Sequence, residues 1–246
     1  MRGRRKISVA LCTYDGERFL GEQLESIASQ TLPPDELVVR DDGSSDATAS
    51  IVKEFARESG MRVDFRINSE RLGSTRNFER VISECTGDII FLADQDDIWF
   101  EHKVEKLVGY LDTHDEIDLV FSDAELVNEA SLPLKKKLWD KTFPERKRHR
   151  FSAGSELDQL VWGDVVTGAT MAFRSDLRKW LTPTPDIGLL SHDAWIALTA
   201  ALIGKVGIVH EPLMKYRVHP AQQIGVSTGP IKRRDRRADI PFFEKT

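Results

Sequence analysis

The stretch Asp88-Ile89-Ile90-Phe91-Leu92-Ala93-Asp94-Gln95-Asp96-Asp97-Ile98-Trp99 sets a short apolar run against three carboxylates within four residues. A run of that length bounded by polar residues suits a strand buried on both faces, with the carboxylates at its carboxyl end. Open α/β sheets bind their ligands at that end. Three clustered anions repel one another unless a cation or a set of donors neutralises them, and hard oxygen ligands suit Mg2+ or Mn2+. The competing reading is a solvated acidic loop that caps the next helix.

Upstream, the chain alternates strand and helix. Ile7 to Tyr14 reads as a buried strand, and Asp15-Gly16 as a turn. Phe19, Leu20, Leu24, Ile27 and Ala28 then fall on one helical face, which Pro33-Pro34 stops. Leu37 to Val39 is the second strand, and it ends in Asp41-Asp42-Gly43-Ser44-Ser45-Asp46, where Asp46 is expected to cap a helix carrying Ile51, Val52 and Phe55. Val63 to Ile67 alternates as a third strand, and Phe78, Val81, Ile82 and Cys85 mark the helix before the acidic stretch. This is the βαβ alternation of a parallel sheet.

Downstream, Val104, Leu107, Val108 and Leu111 space as a helix, and Asp118 to Asp123 reads as a fifth strand. From Asn128 to Arg150 no period is visible. That segment carries Lys135-Lys136-Lys137 and Arg146-Lys147-Arg148-His149-Arg150, and it reads either as a solvated loop or as a surface for anionic headgroups or an anionic acceptor. Val165 to Phe173 reads as a strand, and Ser191 as the cap of an apolar helix over 192–203. Lys205 to Val209 and Tyr216 to His219 complete the pattern. The basic stretch 227–246 reads as a weakly ordered tail.

A chain of 246 residues, 40% hydrophobic and 30% charged, suffices for one sizeable core. The formal charge of −5 argues against a nucleic-acid partner. Two cysteines, Cys12 and Cys85, both sit in apolar patterns, which suits small buried thiols in a reducing cytoplasm. The apolar part of the basic N-terminus is too short for a signal peptide, and no run approaches the ~20 apolar residues of a membrane span. If the protein meets a membrane, it is expected to do so from the surface.

The ends of the first, second and fourth strands deliver Thr13-Tyr14-Asp15, Asp41-Asp42 and Asp94-Gln95-Asp96 to one sheet edge. No glycine-rich phosphate loop follows the first strand, so nicotinamide and ATP-hydrolysing chemistries are disfavoured. A nucleotide bound here would meet the Tyr14 ring, a base-accepting Asp41 or Asp42, and a metal bridging its phosphates to Asp96.

Val9 to Asp15, Val39 to Asp46, Leu72-Gly73 with Asn77-Phe78, Asp94 to Asp97, Ser191 to Trp195 and Tyr216 to His219 together resemble family 2 glycosyltransferases, over about residues 6–226. Within that family the sequence is most similar to the bacterial rhamnosyltransferase-like group that builds O-antigen, capsule and related surface polysaccharides. The resemblance implies a GT-A fold: a Rossmann-like, mostly parallel sheet flanked by helices, with a nucleotide-sugar half at about 6–123 and an acceptor half at about 124–226. It also implies an inverting transfer from a nucleotide-diphosphate sugar, dTDP- or UDP-linked, to a saccharide or lipid-linked saccharide, with a divalent metal. Thr13, Tyr14, Asp15, Asp41, Asp42, Asn77, Asp94 and Gln95 would form the donor pocket, with Asp94 facing the ribose.

By the same resemblance Asp96 and His219 would hold the metal. His219 is followed here by Pro220-Ala221-Gln222-Gln223, where the group usually has a glycine and an asparagine. Asp193, in the first turn of its helix where the dipole favours a carboxylate, would be the general base. A sugar-nucleotide nucleotidyltransferase shares the sheet and carboxylates but expects a glycine-rich basic loop that is absent. A nucleotide-sugar-binding module without catalysis is the non-enzymatic alternative.

Overall fold

The computed structural model describes residues 3–162, 165–185, 190–220 and 222. Its elements are β1 Ile7–Thr13, α1 Leu20–Ala28, β2 Glu36–Asp41, α2 Thr48–Glu58, β3 Val63–Ile67, α3 Ser74–Glu84 and β4 Ile89–Ala93. There follow β5 Ile98–Trp99, α4 Lys103–Thr113, β6 Leu119–Val127, β7 Pro133–Lys137, α5 Trp139–Thr142, α6 Glu145–Arg150 and α7 Glu156–Trp162. The last three are β8 Met171–Arg174, α8 His192–Ile203 and β9 Val206–Arg217. The stretch 227–246 lies outside the described residues.

The strands form one sheet in the order β3-β2-β1-β4-β8-β6-β9-β5, with β7 added to β6. β1 to β4 pair in parallel and β6 pairs in parallel with β9, whereas β8 runs antiparallel to both β4 and β6. This is the expected mostly parallel α/β architecture. β4 is buried at every position, as its unbroken apolar run requires of a central strand covered on both faces. The register sets Thr13 opposite Asp41 and Leu11 opposite Ala93, so three strand ends open on one edge. Because β6 is antiparallel to β8 and β8 to β4, β6 runs with β4, and its carboxyl end reaches that same edge.

Asp46 stands one residue before the cap position of α2, which Ala47 occupies, and still anchors the helix start. Its carboxylate accepts the Thr48 amide at 3.0 Å and the Glu17 amide at 3.0 Å, which fixes the start of α2 and the loop after β1 together.

Three expectations about the second half are corrected. The aperiodic segment 128–150 is built into the fold: Trp139 and Phe143 are buried and, with Phe151, ring Phe121 at centroid distances of 5.5, 5.7 and 5.9 Å. Its elements are four to six residues long, too short to show a period. The expected strand over 165–173 is extended only from Met171, because Gly168–Thr170 form a helical turn in which Thr170 donates through both its amide and its hydroxyl to the Thr167 carbonyl. Finally, Lys205–Val209 and Tyr216–His219 are not separate. Val206–Val209 and Tyr216–Arg217 lie on one strand, β9, which pairs with β6 across two register shifts.

Candidate active site

The carboxyl edge of β1 and β2 is tied together by its own polar side chains. Thr13 donates through its hydroxyl to Asp41 at 2.8 Å, and Asp41 also accepts the Ser44 amide at 2.9 Å. Asp15 accepts the Ser45 amide at 2.8 Å, while its own amide donates to the Ser44 hydroxyl. Asp42 is buried and accepts the amides of Leu72 and Gly73 at 2.7 and 2.8 Å, and the Asn68 side-chain amide at 3.0 Å. The donors on both carboxylates are thus the protein's own, and the pair moulds the loop over 68–73. Asn77, read from the sequence as a nucleotide contact, has both ends of its amide engaged internally, with the Arg40 carbonyl and Asn68. Gln95 likewise pairs twice with the Tyr14 backbone, at 2.8 and 2.9 Å. The Tyr14 ring is at the edge, and the Arg71 guanidinium lies over it at 3.9 Å. No spacing in the sequence pointed to Arg71.

The acidic stretch separates into three environments. Asp96 meets His219, Oδ2 to Nε2 at 2.7 Å, and both side chains are largely buried at 16% and 8% exposure. Phe19 supports the imidazole, with ring centroids 4.9 Å apart. Asp94 is partly buried, and desolvation, then Asp96 and Asp193, push its carboxyl up to about 7. Asp97 is buried, its pKa raised by desolvation and its two acidic neighbours; it accepts the Arg217 amide at 3.1 Å and so pins β9 to the loop. Its Oδ2 has no hydrogen-bond partner among the described residues.

Arg217 holds this loop from beneath. Fully buried, it donates to the Asp96 carbonyl at 2.7 Å, the Glu129 carbonyl at 3.1 Å, the Ser131 hydroxyl at 2.9 Å and Glu22 at 3.1 Å. It thereby clamps α1, the β6–β7 turn and the acidic loop to one another. Of the altered residues after His219, Gln222 closes the turn: it donates to the Arg217 carbonyl at 2.6 Å and accepts the His219 amide at 3.3 Å.

Asp193 enters from the other half of the sheet, at the first turn of α8. Ser191 occupies the cap position but makes no capping hydrogen bond through its side chain, contrary to expectation. Asp193 itself accepts the Ala194 amide at 2.9 Å and the Gly168 amide at 3.3 Å, which draws the 168–170 turn against the helix. A Cβ on Gly168 would stand 3.1 Å from His192 Nε2 and 3.4 Å from Asp193 Cβ. Gly168→Ala should therefore press on the His192 ring, shift the first turn of α8 that carries Asp193, and lower kcat about tenfold, while the donor KM stays within about twofold, in steady-state kinetics.

Lys103 closes the cluster from below, a residue the sequence pattern passed over. Its buried ammonium donates to the Ala169 carbonyl and sits 3.9 Å over the Trp99 ring. Burial lowers its pKa to about 7 against the opposing pull of Asp97 and Asp94. A folded pKa below the unfolded ~10.4 means that the unfolded chain binds more protons between about pH 7 and 10, so stability rises with pH there. Asp94 has the opposite sign, raised to about 7, and stability falls as pH climbs from about 4 to 7. In metal-free protein the Tm difference between wild type and Lys103→Met should therefore move in favour of the wild type as pH rises from about 7 to 10, in a calorimetric pH series.

Asp96 and His219 offer a carboxylate and an imidazole in contact, a donor set that fits a divalent cation. Among the described residues no three acidic, histidine or cysteine side chains converge as a full ligand set. Two protein ligands accord with cations such as Mg2+, which complete their shell with water and substrate phosphate.

The fold is that of known enzymes. The chain superposes with a TM-score of 0.65 at 19% identity on Staphylococcus aureus TarS bound to UDP-GlcNAc, over 90% of this chain and 62% of that one. A mannosyltransferase of Pyrobaculum calidifontis, in complex with GDP-Man and Mn2+, superposes with a TM-score of 0.67 at 21% identity, over 89% and 59%. These neighbours are GT-A glycosyltransferases. In sequence the chain is 24% identical over 224 residues to an uncharacterized glycosyltransferase of Nostoc sp., covering 88% of this chain and 66% of the relative. It spans between 41% and 66% of the length of such curated relatives. The model of the family described as glycosyl transferase family 2 matches residues 8–181, well over half of the chain, and to that family the chain belongs.

Proposed function

We propose that the protein is an inverting, metal-dependent glycosyltransferase that moves a sugar from a nucleotide-diphosphate donor to a hydroxyl of a surface-polysaccharide acceptor. The observation that carries this reading is the contact of Asp96 with His219 beside Asp94, facing Asp193 from the opposite half of the sheet. Thr13, Asp15, Asp41, Asp42, Asn77 and Gln95 shape the donor pocket by holding its loops, and Tyr14 with Arg71 offers the stacking surface for the base. Asp94 faces the ribose. A divalent cation, Mg2+ or Mn2+, held by Asp96 and His219 would stabilise the negative charge that develops on the diphosphate.

Asp193 takes the proton from the acceptor hydroxyl as that oxygen attacks C1 from the face opposite the leaving group. The configuration at C1 inverts. The acceptor is a saccharide or lipid-linked saccharide, and a lipid-linked one would bring the chain to a membrane surface. No helix among the described residues is long and apolar enough to cross a membrane.

The test is to incubate the pure protein with Mg2+ or Mn2+ and a panel of dTDP-, UDP- and GDP-sugars, dTDP-rhamnose among them, and to follow nucleoside diphosphate release. Release from one donor, dependent on the metal, is the expected result. Pyrophosphate formation from a nucleoside triphosphate and a sugar phosphate would instead make the protein a nucleotidyltransferase.

A further inference from the structure

The two basic runs of the sequence are not used by the donor site, yet the fold sets the lysines of the first beside Arg148 of the second. Lys135, Lys136 and Lys137 on β7, Arg148 on α6 and His210 on β9 line one cavity of about 630 Å³, with Trp139 in its wall. That volume is in the range of small-molecule sites. Among the described residues, none of the three lysine ammonium groups has a carboxylate within ion-pair distance. Arg148 is fixed more firmly, donating to the Phe143 carbonyl at 2.7 Å with its guanidinium 5.6 Å from the Trp139 ring.

Three carboxylates also line the cavity, and two of them are turned onto backbone amides. Asp123 accepts the amides of Ala124 and Trp139 at 2.8 and 3.0 Å, and burial pushes its pKa up. Asp140 accepts the Lys137 amide at 2.9 Å. Glu125 is the third. The basic side chains in the wall thus outnumber the carboxylates, two of which are already engaged by backbone amides, an arrangement that favours an anion with several oxygens.

The place of the cavity also carries meaning. It opens on the β6–β7 hairpin, whose turn is gripped at Glu129 and Ser131 by the same Arg217 that grips the Asp96 carbonyl. From Ser131 to Lys135 the chain extends at most about 14 Å. We propose that this cavity is an anion site, separate from the donor pocket, that binds a phosphate-bearing group of the acceptor while its hydroxyl lies at Asp193. This rests on the glycosyltransferase reading for its purpose, but not for its detection.

The experiment is lysine protection on the full chain. Acylation of Lys135, Lys136 and Lys137 by an amine-reactive ester is followed by mass spectrometry, with saturating UDP present throughout to occupy the donor pocket. The probes are inorganic pyrophosphate, glycerol 3-phosphate, and vesicles of phosphatidylglycerol or of phosphatidylcholine alone. Protection at least about fivefold, with a midpoint below about 1 mM pyrophosphate or glycerol 3-phosphate, is expected and assigns a soluble phosphate-bearing ligand. Protection by phosphatidylglycerol vesicles alone supports the site equally and assigns a lipid headgroup. Lys136→Gln, at an exposed position, should raise the midpoint about fivefold as read at Lys135 and Lys137. Absence of protection by every probe overturns the proposal, as does a Lys136→Gln midpoint equal to that of the wild type. Protection without sugar transfer to any acceptor would keep the anion site and reject the glycosyltransferase reading instead.

Discussion

Asp96→Asn will lower metal-dependent donor turnover at least about 10³-fold, the scale on which preorganised charge stabilisation acts in such sites. The substitution keeps the shape of the side chain and removes its charge, so the loop held by Arg217 through the Asp96 carbonyl stays in place. What is lost is the anionic half of the Asp96–His219 pair. Mn2+ titration by calorimetry without donor should show the same loss, and this separates a metal-holding role from a folding defect. If donor release proceeds at the wild-type rate in Asp96→Asn, the assignment of Asp96 is wrong.

Asp193→Asn comes second. The amide oxygen still accepts from Gly168 and Ala194, so the turn and the helix end keep their contacts, but the group no longer takes a proton. General-base assistance is worth about 10²–10⁴ in rate, and kcat for sugar transfer should fall by that factor. Donor affinity, measured by titration with the nucleoside diphosphate, should change less than about threefold, because Asp193 stands on α8 and not on the loops that follow β1, β2 and β4. A fall in donor affinity as large as the fall in kcat would place Asp193 in the donor pocket instead.

The two substitutions also divide the site as the chain does. Asp94 stands where the halves meet: its carboxyl is raised by burial first and then by both Asp96 and Asp193. A cation at Asp96 would reverse one of those repulsions, so loading the metal side and ionising Asp94 favour one another.

Much of this architecture is legible without coordinates. β1, β2 and β4 are apolar runs that end in acidic or hydroxyl residues, and their alternation with amphipathic helices is enough to set a parallel sheet and one ligand-binding edge. The residues on that edge were legible, but not which of them remain directed at a ligand. Asn77 and Gln95 have the composition of nucleotide contacts and are spent on the backbones of Arg40 and Tyr14. A polar side chain near a strand end satisfies a buried loop as readily as a ligand, and sequence spacing does not distinguish the two.

The sequence by itself determined the strand-helix alternation and the acidic edge, because burial on a strand or helix repeats with a short local period. Only the tertiary structure decided what completes the site: Asp96 meets His219 123 residues away, Arg217 ties Glu22 to the acidic loop, and Lys103 reaches the Ala169 carbonyl. Those contacts follow from the order of strands beyond β4, where β8, β6 and β9 leave sequence order and bring late residues under early ones. The same crossing sets His210 of β9 beside the basic residues of β7 and α6 at one cavity. A local period reports which face of an element is buried and carries no information about which distant element buries it.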